Sequence, residues 1–237
     1  MNPDRMIDLV KRALDLAQEV NFGLPQEIMD LHGLNTAPYR CLLNQLGAHC
    51  ITYLECGVYT GTTLLAACYD NPIKHAVAVD SWRSQAIFER SATYKKSKGK
   101  KPGPLQHFLA NLARFTVHMP FPIHTIDGES FADETLRLVA KRAPFELYHY
   151  DADHSYESQR KALSEYAQFL THPAIVVVHD WEMRSDSVLK DGKDWTEDVR
   201  FGTEDGLQDI RDTNPELFRA YSLTPTGEKE GIVLVLG

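Results

Sequence analysis

Acidic and histidine side chains gather where two apolar segments of the sequence end, and these residue types are the ones best suited to chemistry. Asp151, Asp153 and His154 follow an aromatic segment, and His179 and Asp180 follow an aliphatic one. Because the carboxyl ends of adjacent parallel strands are neighbours, we expect Asp151 and Asp180 to lie in one small volume. Two carboxylates that close together repel each other unless a cation, a proton or an arginine lies between them.

A metal ion is one explanation for this gathering. Oxygen ligands from Asp151 and Asp180 suit a hard ion such as Mg²⁺, with His179 as a softer additional ligand. The alternative is structural: Asp180 caps the next segment, Asp151 bonds backbone amides, and Asp153 or Ser155 caps the following helix. A cap accounts for one of these polar residues but not for all of them.

An acidic residue and two glycines separate a predicted strand from a predicted helix in residues 51–67, ITYLECGVYTGTTLLAA. Glu55 ends the strand, and Gly57 and Gly61 follow it. Glycine allows positive φ and lets a ligand approach the backbone closely, while the helix begins with free N–H groups. This arrangement holds nucleotide-like ligands at the mouth of a parallel sheet, although an ordinary strand–turn–helix would share the local pattern.

Two further predicted strands also end in acidic residues. Asp80 ends the strand 75–80, about 20 residues after the glycine turn, where a carboxylate can accept hydrogen bonds from both hydroxyls of a ribose. The segment 127–130, DGES, follows the strand 123–126. Acidic residues at successive strand ends favour a nucleotide-like ligand over a chance arrangement.

The whole chain alternates apolar runs with amphipathic segments, as an α/β fold with a parallel sheet does. A short glycine-containing connection before the last strand favours an antiparallel pair at the end of the sheet. The predicted helices span residues 3–20, 26–31, 37–46, 105–115, 131–140 and 204–213. The predicted strands span residues 51–55, 75–80, 123–126, 145–150, 173–178, 218–223 and 231–236.

Three polar regions leave alternatives open. Five lysines crowd residues 95–101, which indicates either a solvated loop or a lid whose lysines meet an anionic part of a substrate. The polar stretch 182–205 is predicted to be a long active-site loop. His32, Asn35 and Arg40 lie between predicted helices, and the pattern fits both a substrate-facing role and a place on the surface.

Composition narrows the classes of protein. The 237 residues, 43% of them hydrophobic, suffice for one elaborated α/β domain, and a net charge of −8 argues against nucleic-acid binding. No apolar run approaches the roughly 18 residues of a membrane span, and the N-terminus lacks a signal-peptide layout. The four cysteines show no CxxC spacing, so we expect reduced thiols in a cytoplasmic protein.

These motifs together resemble the class I S-adenosylmethionine-dependent methyltransferases. LECGVYTG resembles the first motif of that family, AVAVDSW the second and IDGES the adenine-side turn. YDADHSYE followed by VVVHDW resembles the macrocin- and mycinamicin-type sugar O-methyltransferases. The resemblance implies a Rossmann-like, doubly wound, mostly parallel seven-stranded sheet with an antiparallel C-terminal pair. It covers residues 51–237 as the methyltransferase domain, with residues 1–50 as an N-terminal helical extension.

The resemblance also implies roles for individual residues, with S-adenosylmethionine as the cofactor. His154 would be the general base, with Asp153 beside it, and His179 stands where the branch has its first metal-binding acid. Glu55, Gly57 and Gly61 would surround the methionine part of the cofactor, and Asp151 would also bind it. Asp80 would bind the ribose, with Trp82 close by. The adenine would be bordered by Gly128, Glu129 and Ser130.

The implied reaction is an in-line transfer of a methyl group to a sugar or natural-product hydroxyl. The protein then supplies alignment and removes the acceptor's proton. A divalent ion, Mg²⁺, at Asp151, His179 and Asp180 would lower the pKa of the hydroxyl. Without a metal, His154 alone suits a phenol or an amine. The expected partner is a small molecule, with neither nucleic acid nor membrane, and the homo-oligomeric state stays open.

Two other classes of function remain as alternatives. A metal-dependent hydroxylase on the same fold would use iron, which favours two histidines and one carboxylate, and His154, His179 and Asp151 could provide them. A non-catalytic nucleotide-binding protein is the second alternative, although it has no need of the clustered aspartates and histidines. A NAD-dependent enzyme fits less well because the glycine turn lacks the GxGxxG spacing.

Overall fold

A computed structural model of the chain describes residues 2–19, 23–83, 103–181, 196–218, 221–225 and 231–237. The helices are α1 (Pro3–Ala17), α2 (Gln26–Met29), α3 (Ala37–Gly47), α4 (Thr62–Cys68), α5 (Pro104–Phe115), α6 (Asp133–Ala140), α7 (Tyr156–Ser164) and α8 (Thr196–Thr213). The strands are β1 (Thr52–Cys56), β2 (His75–Asp80), β3 (Ile123–Asp127), β4 (Phe145–Tyr150), β5 (Leu170–His179), β6 (Tyr221–Pro225) and β7 (Gly231–Leu236).

The strands form one sheet in the order β3-β2-β1-β4-β5-β7-β6. The pairs among β1 to β5 are parallel, and β7 is antiparallel to both β5 and β6. The order reverses between β1 and β4, which is where open α/β sheets bind their ligands. The predicted α/β, Rossmann-like, mostly parallel sheet with an antiparallel C-terminal strand pair is therefore confirmed.

Helices cover both faces of the sheet. On one face, residues of α1, α3 and α4 share a hydrophobic core with residues of β1, β4, β5 and β7. On the other face, residues of α7 and α8 pack against the strands. The N-terminal helices thus belong to the same core as the sheet, and the division at residue 50 stays a prediction.

The N-terminal boundary of α8 differs most from expectation. Residues 196–203, predicted to lie in a loop, form its first turns. A Cβ atom at Gly202 would lie 2.4 Å from the Tyr156 carbonyl oxygen, and one at Gly206 would lie 2.6 Å from that of Arg160. These glycines therefore allow close packing of α8 on α7, and do not mark a loop.

Other boundaries shift by a few residues. β5 begins at Leu170 instead of residue 173, and β6 begins at Tyr221 instead of residue 218. The lysine-rich segment 95–101 and the first part of the predicted active-site loop, residues 182–195, lie outside the described residues. Within the described ranges, no helix has both the length and the apolar character needed to cross a bilayer.

Candidate active site

A cavity of about 1100 Å³ opens at the carboxyl ends of the parallel strands. Its lining includes the glycine turn after β1, the acidic ends of β2 and β4, the turn after β3, and the end of β5. The predicted site residues that line it are Gly57, Asp80, Trp82, Gly128, Glu129, Ser130, Asp151, Asp153, His154, His179 and Asp180. The structure thus brings together residues that lie far apart in the sequence. Glu55 and Gly61 are not part of the lining.

The glycine turn has the positive backbone angles that its sequence suggests. Gly57 has φ 90° and Gly61 has φ 81°. A Cβ atom at Gly57 would lie 1.9 Å from the Asp151 carbonyl oxygen, and one at Gly61 would lie 2.5 Å from the Phe108 ring. Each glycine is therefore required by a neighbouring protein group. A side chain at Gly57 would clash with the main chain at the end of β4, whether or not a ligand is bound.

Glu55 is fully buried beneath the turn. Its carboxylate accepts hydrogen bonds from the Tyr53 hydroxyl and, at 2.7 Å, from Thr63 Oγ1. Its Oε2 atom lies 3.6 Å from Nδ1 of His149, and Nε2 of His149 lies 3.0 Å from the Tyr39 hydroxyl. Thr63 stands in the first turn of α4 and lines the cavity. Glu55 thus holds the start of α4 from below.

Asp80 organises the turn by accepting backbone hydrogen bonds. Its Oδ2 accepts from the Tyr59 N–H at 2.7 Å, and its Oδ1 accepts from the Trp82 N–H at 2.6 Å. The Trp82 indole N–H in turn donates to the Tyr59 carbonyl at 2.9 Å. Burial raises the pKa of Asp80, while these amides oppose the shift. Each carboxylate oxygen keeps a lone pair for a further donor.

The turn after β3 is tied to the rest of the site. The Gly128 N–H donates to the Asp80 carbonyl at 3.0 Å, and the Tyr166 hydroxyl donates to the Ser130 carbonyl at 2.6 Å. Glu129 lies 3.7 Å from the Arg83 guanidinium, an exposed pair that adds little stability. Tyr166 is the residue here that the sequence did not single out.

Two aspartates and two histidines meet at the ends of β4 and β5. Nε2 of His154 lies 2.9 Å from Oδ2 of Asp180 and 3.9 Å from Oδ1 of Asp151. Nδ1 of His179 lies 3.1 Å from Oδ1 of each of the two aspartates. Asp180 has φ 60°, a left-handed conformation that turns the chain out of β5. The predicted convergence of Asp151 and Asp180 is present.

Residues 54–181, more than half of the chain, match a family model described as a methyltransferase domain. The chain belongs to this methyltransferase family. The predicted enzyme class, an S-adenosylmethionine-dependent methyltransferase, is thereby confirmed. No functionally curated protein matches the sequence.

Solved structures with the same fold are only distantly related in sequence. An O-methyltransferase from Bacillus cereus in complex with SAH has a TM-score of 0.54 at 11% identity, over 97% of this chain and 90% of that chain. An SAH-bound methyltransferase from Podospora anserina has a TM-score of 0.55 at 11% identity, over 96% and 87% of the two chains. At such low identity, these structures support the fold.

The charges of the aspartates and histidines at the ends of β4 and β5 stabilise one another. Burial would lower the pKa of His154, but the carboxylates of Asp151 and Asp180 raise it to about 9. Burial would raise the pKa of Asp151 and of Asp180, but the neighbouring imidazoles lower both. An imidazole with a pKa of about 9 holds its proton at pH 7, so the cluster itself contains a cation between the two carboxylates.

The same cluster fits a divalent ion. One donor atom each from Asp151, His154 and Asp180 lie within 4.8 Å of one another. Two carboxylates and an imidazole suit Mg²⁺ less well than all-oxygen ligands do, and they suit Mn²⁺ or another transition ion as well. The fitting set has His154 where the sequence suggested His179. The His179 ring is almost fully buried, with its centroid 4.7 Å from that of Tyr39.

Asp153 begins α7. Its carboxylate accepts hydrogen bonds from the hydroxyls of Ser155 and, at 2.7 Å, Ser158. Ser155 is the N-cap of the helix and accepts from the Ser158 N–H. These bonds hold the short segment that carries His154, so Asp153 positions the imidazole from the neighbouring residue.

A segment before α3 also contributes to the wall of the cavity. Leu34 and Asn35 line it, and the Asn35 side chain donates to Thr62 Oγ1 at 3.1 Å. The buried Arg40 guanidinium donates to Asn35 Oδ1 at 2.6 Å and to three main-chain carbonyls between residues 28 and 31. Arg40 therefore has a structural role, whereas Asn35 faces the site.

Proposed function

We propose that this methyltransferase transfers a methyl group from S-adenosylmethionine to a hydroxyl group of a small molecule, with His154 as the general base. One observation carries the proposal. Two histidines are among the described residues that line the cavity, His154 and His179. The His154 side chain is 34% exposed and lies against Asp180, whereas that of His179 is only 3% exposed. A proton acceptor there can reach a group bound next to the cofactor.

The cofactor would lie across the ends of β1, β2 and β3. Asp80 would accept hydrogen bonds from the ribose hydroxyls, Trp82 would lie beside it, and Gly128, Glu129 and Ser130 would border the adenine. The sulfonium of S-adenosylmethionine supplies the methyl group and leaves without an acid catalyst. The chain's own contribution is then to align the acceptor and remove its proton.

His154 would remove the proton from the acceptor's hydroxyl group. Asp151 and Asp180 hold the imidazole, while Asp153 and Ser155 fix the start of α7 from which it projects. A divalent ion held by Asp151 and Asp180 would supply positive charge that lowers the pKa of a bound hydroxyl. His154 would then either accept the hydroxyl proton or complete the ligand set, and the two roles have different consequences for a His154→Ala variant.

The macrocin-type sugar branch is one form of this proposal, supported by the D-x-x-H spacing of Asp151 and His154 and by the acid at Asp180. Membership of the methyltransferase family favours methyl transfer over the iron-dependent hydroxylase and over a non-catalytic nucleotide-binding protein. The side chains that could hold a metal ion also favour methyl transfer over iron-dependent hydroxylation. They are two carboxylates and one imidazole, whereas the facial triad of the iron enzymes has two histidines and one carboxylate.

The experiment is a search for methylated products. Incubation with S-adenosylmethionine and a panel of hydroxylated acceptors, with catechol as the simplest, should give products that are heavier by one methylene group. A parallel incubation with Fe²⁺ and 2-oxoglutarate should give no hydroxylated product. Hydroxylation without methyl transfer would overturn the proposal.

A further inference from the structure

The charge of the residues that line the cavity indicates which charge the acceptor should have. This inference rests on the proposed function. Among the described residues of the lining, the carboxylates are those of Asp80, Glu129, Asp151, Asp153, Asp180 and Asp198, and the guanidinium is that of Arg83. A divalent ion and the cofactor's sulfonium together would still leave negative charge in excess. An anionic acceptor would therefore enter an unfavourable potential.

Most of these carboxylates already have partners. The Asp80 carboxylate accepts hydrogen bonds from two backbone amides, and the Asp153 carboxylate accepts from two serine hydroxyls. The Glu129 carboxylate lies near the Arg83 guanidinium. Asp151 and Asp180 belong to the cluster with the two histidines. Asp198 differs: within the described ranges it has neither a hydrogen bond nor an ion pair, although its side chain borders the cavity.

Asp198 lies on the side of the cavity where we expect the acceptor to bind, away from the proposed cofactor site. It stands in the first turn of α8, and one turn later Gly202 lies against the main chain of Tyr156. Tyr156 begins α7, two residues after His154. Asp198 and the proposed base His154 thus line the same cavity from α8 and from the segment before α7, two helices that pack on each other, and Asp198 belongs to none of the strand ends that border the proposed cofactor site.

We propose that Asp198 binds a positively charged group, such as an ammonium, on the acceptor, so that the enzyme selects cationic over anionic hydroxylated small molecules. Half-buried carboxylates attract such a group more strongly than fully solvated ones do, since less water screens the pair. The idea that lysines of the segment 95–101 meet an anionic part of the substrate makes the opposite prediction.

Two catechols that differ only in the charge of the side chain test this selection. Dopamine carries an ammonium, and 3,4-dihydroxyphenylacetate carries a carboxylate at the same distance from the ring. Calorimetry on the full chain saturated with S-adenosylhomocysteine and Mg²⁺ should show that dopamine binds roughly fivefold to tenfold more tightly, as expected for a partly screened ion pair. The variant Asp198→Asn should lose most of this difference.

Glu197→Gln is the matched control. Glu197 precedes Asp198 in the same helical turn, is exposed and does not line the cavity, so this variant should keep the preference for dopamine. Equal affinity for the two catechols, tighter binding of the carboxylate, binding of neither, or an unchanged preference in Asp198→Asn would each overturn the inference. Failure to bind S-adenosylhomocysteine would instead overturn the proposed function itself, and the inference with it.

Discussion

Nε2 of His154 lies 2.9 Å from Oδ2 of Asp180, although 26 residues separate them along the chain. The contact joins the start of α7 to the end of β5 and places an imidazole beside a buried carboxylate. This relationship supports both proposed roles of His154, as a base and as a metal ligand. It also sets the pH dependence, since Asp180 and Asp151 stabilise the protonated ring.

The first prediction concerns pH. In metal-free enzyme, His154 with a pKa of about 9 is protonated at pH 7 and must lose its proton before it can act as a base. The rate constant kcat/KM should therefore rise about tenfold per pH unit below that pKa. A divalent ion at Asp151 and Asp180 repels the proton and lowers the pKa of His154. The profile in Mg²⁺ or Mn²⁺ should shift to lower pH than the profile in EDTA, and two superimposable profiles would contradict the metal site.

The second prediction concerns the cofactor. Asp80→Ala removes the acceptor of the ribose hydroxyls and also releases the Tyr59 and Trp82 amides, so the affinity for S-adenosylhomocysteine should fall by about 1–3 kcal/mol. Asp127→Ala is the control. Asp127 pairs in register with Asp80 on the next strand but is exposed and outside the cavity lining. Calorimetry that shows equal losses in both variants would remove Asp80 from the site.

The third prediction concerns the glycine turn. Gly57→Val should destabilise the fold as well as abolish cofactor binding, since its Cβ would overlap the Asp151 carbonyl and the left-handed conformation would add a further cost of roughly 1–2 kcal/mol. Urea unfolding measures the loss. A variant as stable as the wild type would show that the ends of β1 and β4 are not in contact at this point.

The fourth prediction concerns Arg40. Arg40→Met should lower the free energy of unfolding by several kcal/mol, about the range for a broken buried network, because it removes the buried guanidinium that donates to the carbonyls of residues 28, 29 and 31. Arg40→Lys should rescue little, since an ammonium cannot reproduce the planar fork of donors. Arg12→Met, on the exposed side of α1, is the control and should be nearly neutral.

The sequence predicted those elements whose position is marked by the residues of the element itself. The predicted bounds of β2 and β4 agree with the structure, because an acid marks the end of each strand: Asp80 is the last residue of β2, and Asp151 follows β4. The convergence of Asp151 and Asp180 followed from the adjacency of parallel strand ends. The metal site stays a prediction: the group of side chains that could hold an ion contains the two predicted aspartates, Asp151 and Asp180, but has His154 in place of His179.

What the sequence did not predict depends on contacts between distant segments. Gly202 lies in a stretch that was predicted to be a loop, but it permits close approach of α8 to α7, as Gly206 does one turn later. Glu55 was assigned to the cofactor, but its partners Tyr53 and Thr63 hold it below the turn. The role of Arg40 depends on main-chain carbonyls, which have no signature in the side-chain pattern.

The variants Asp180→Asn and His154→Ala distinguish the loss of a metal ligand from the loss of the general base. Asp180→Asn removes one charged oxygen ligand, so activity should require a much higher concentration of Mg²⁺ or Mn²⁺ while the maximal rate recovers in part. His154→Ala as a lost base should instead lower the rate at every metal concentration. Activity indifferent to EDTA in the wild type would contradict the metal site and leave His154 acting alone.

The central claim is that His154 removes the acceptor's proton during methyl transfer from S-adenosylmethionine. The most direct test compares the wild type with His154→Ala in the transfer of a labelled methyl group to catechol at saturating Mg²⁺, with calorimetry of S-adenosylhomocysteine as the check on the cofactor site. The account predicts that kcat falls by roughly 10²–10⁴ while the cofactor affinity is unchanged. Full activity in His154→Ala would contradict it.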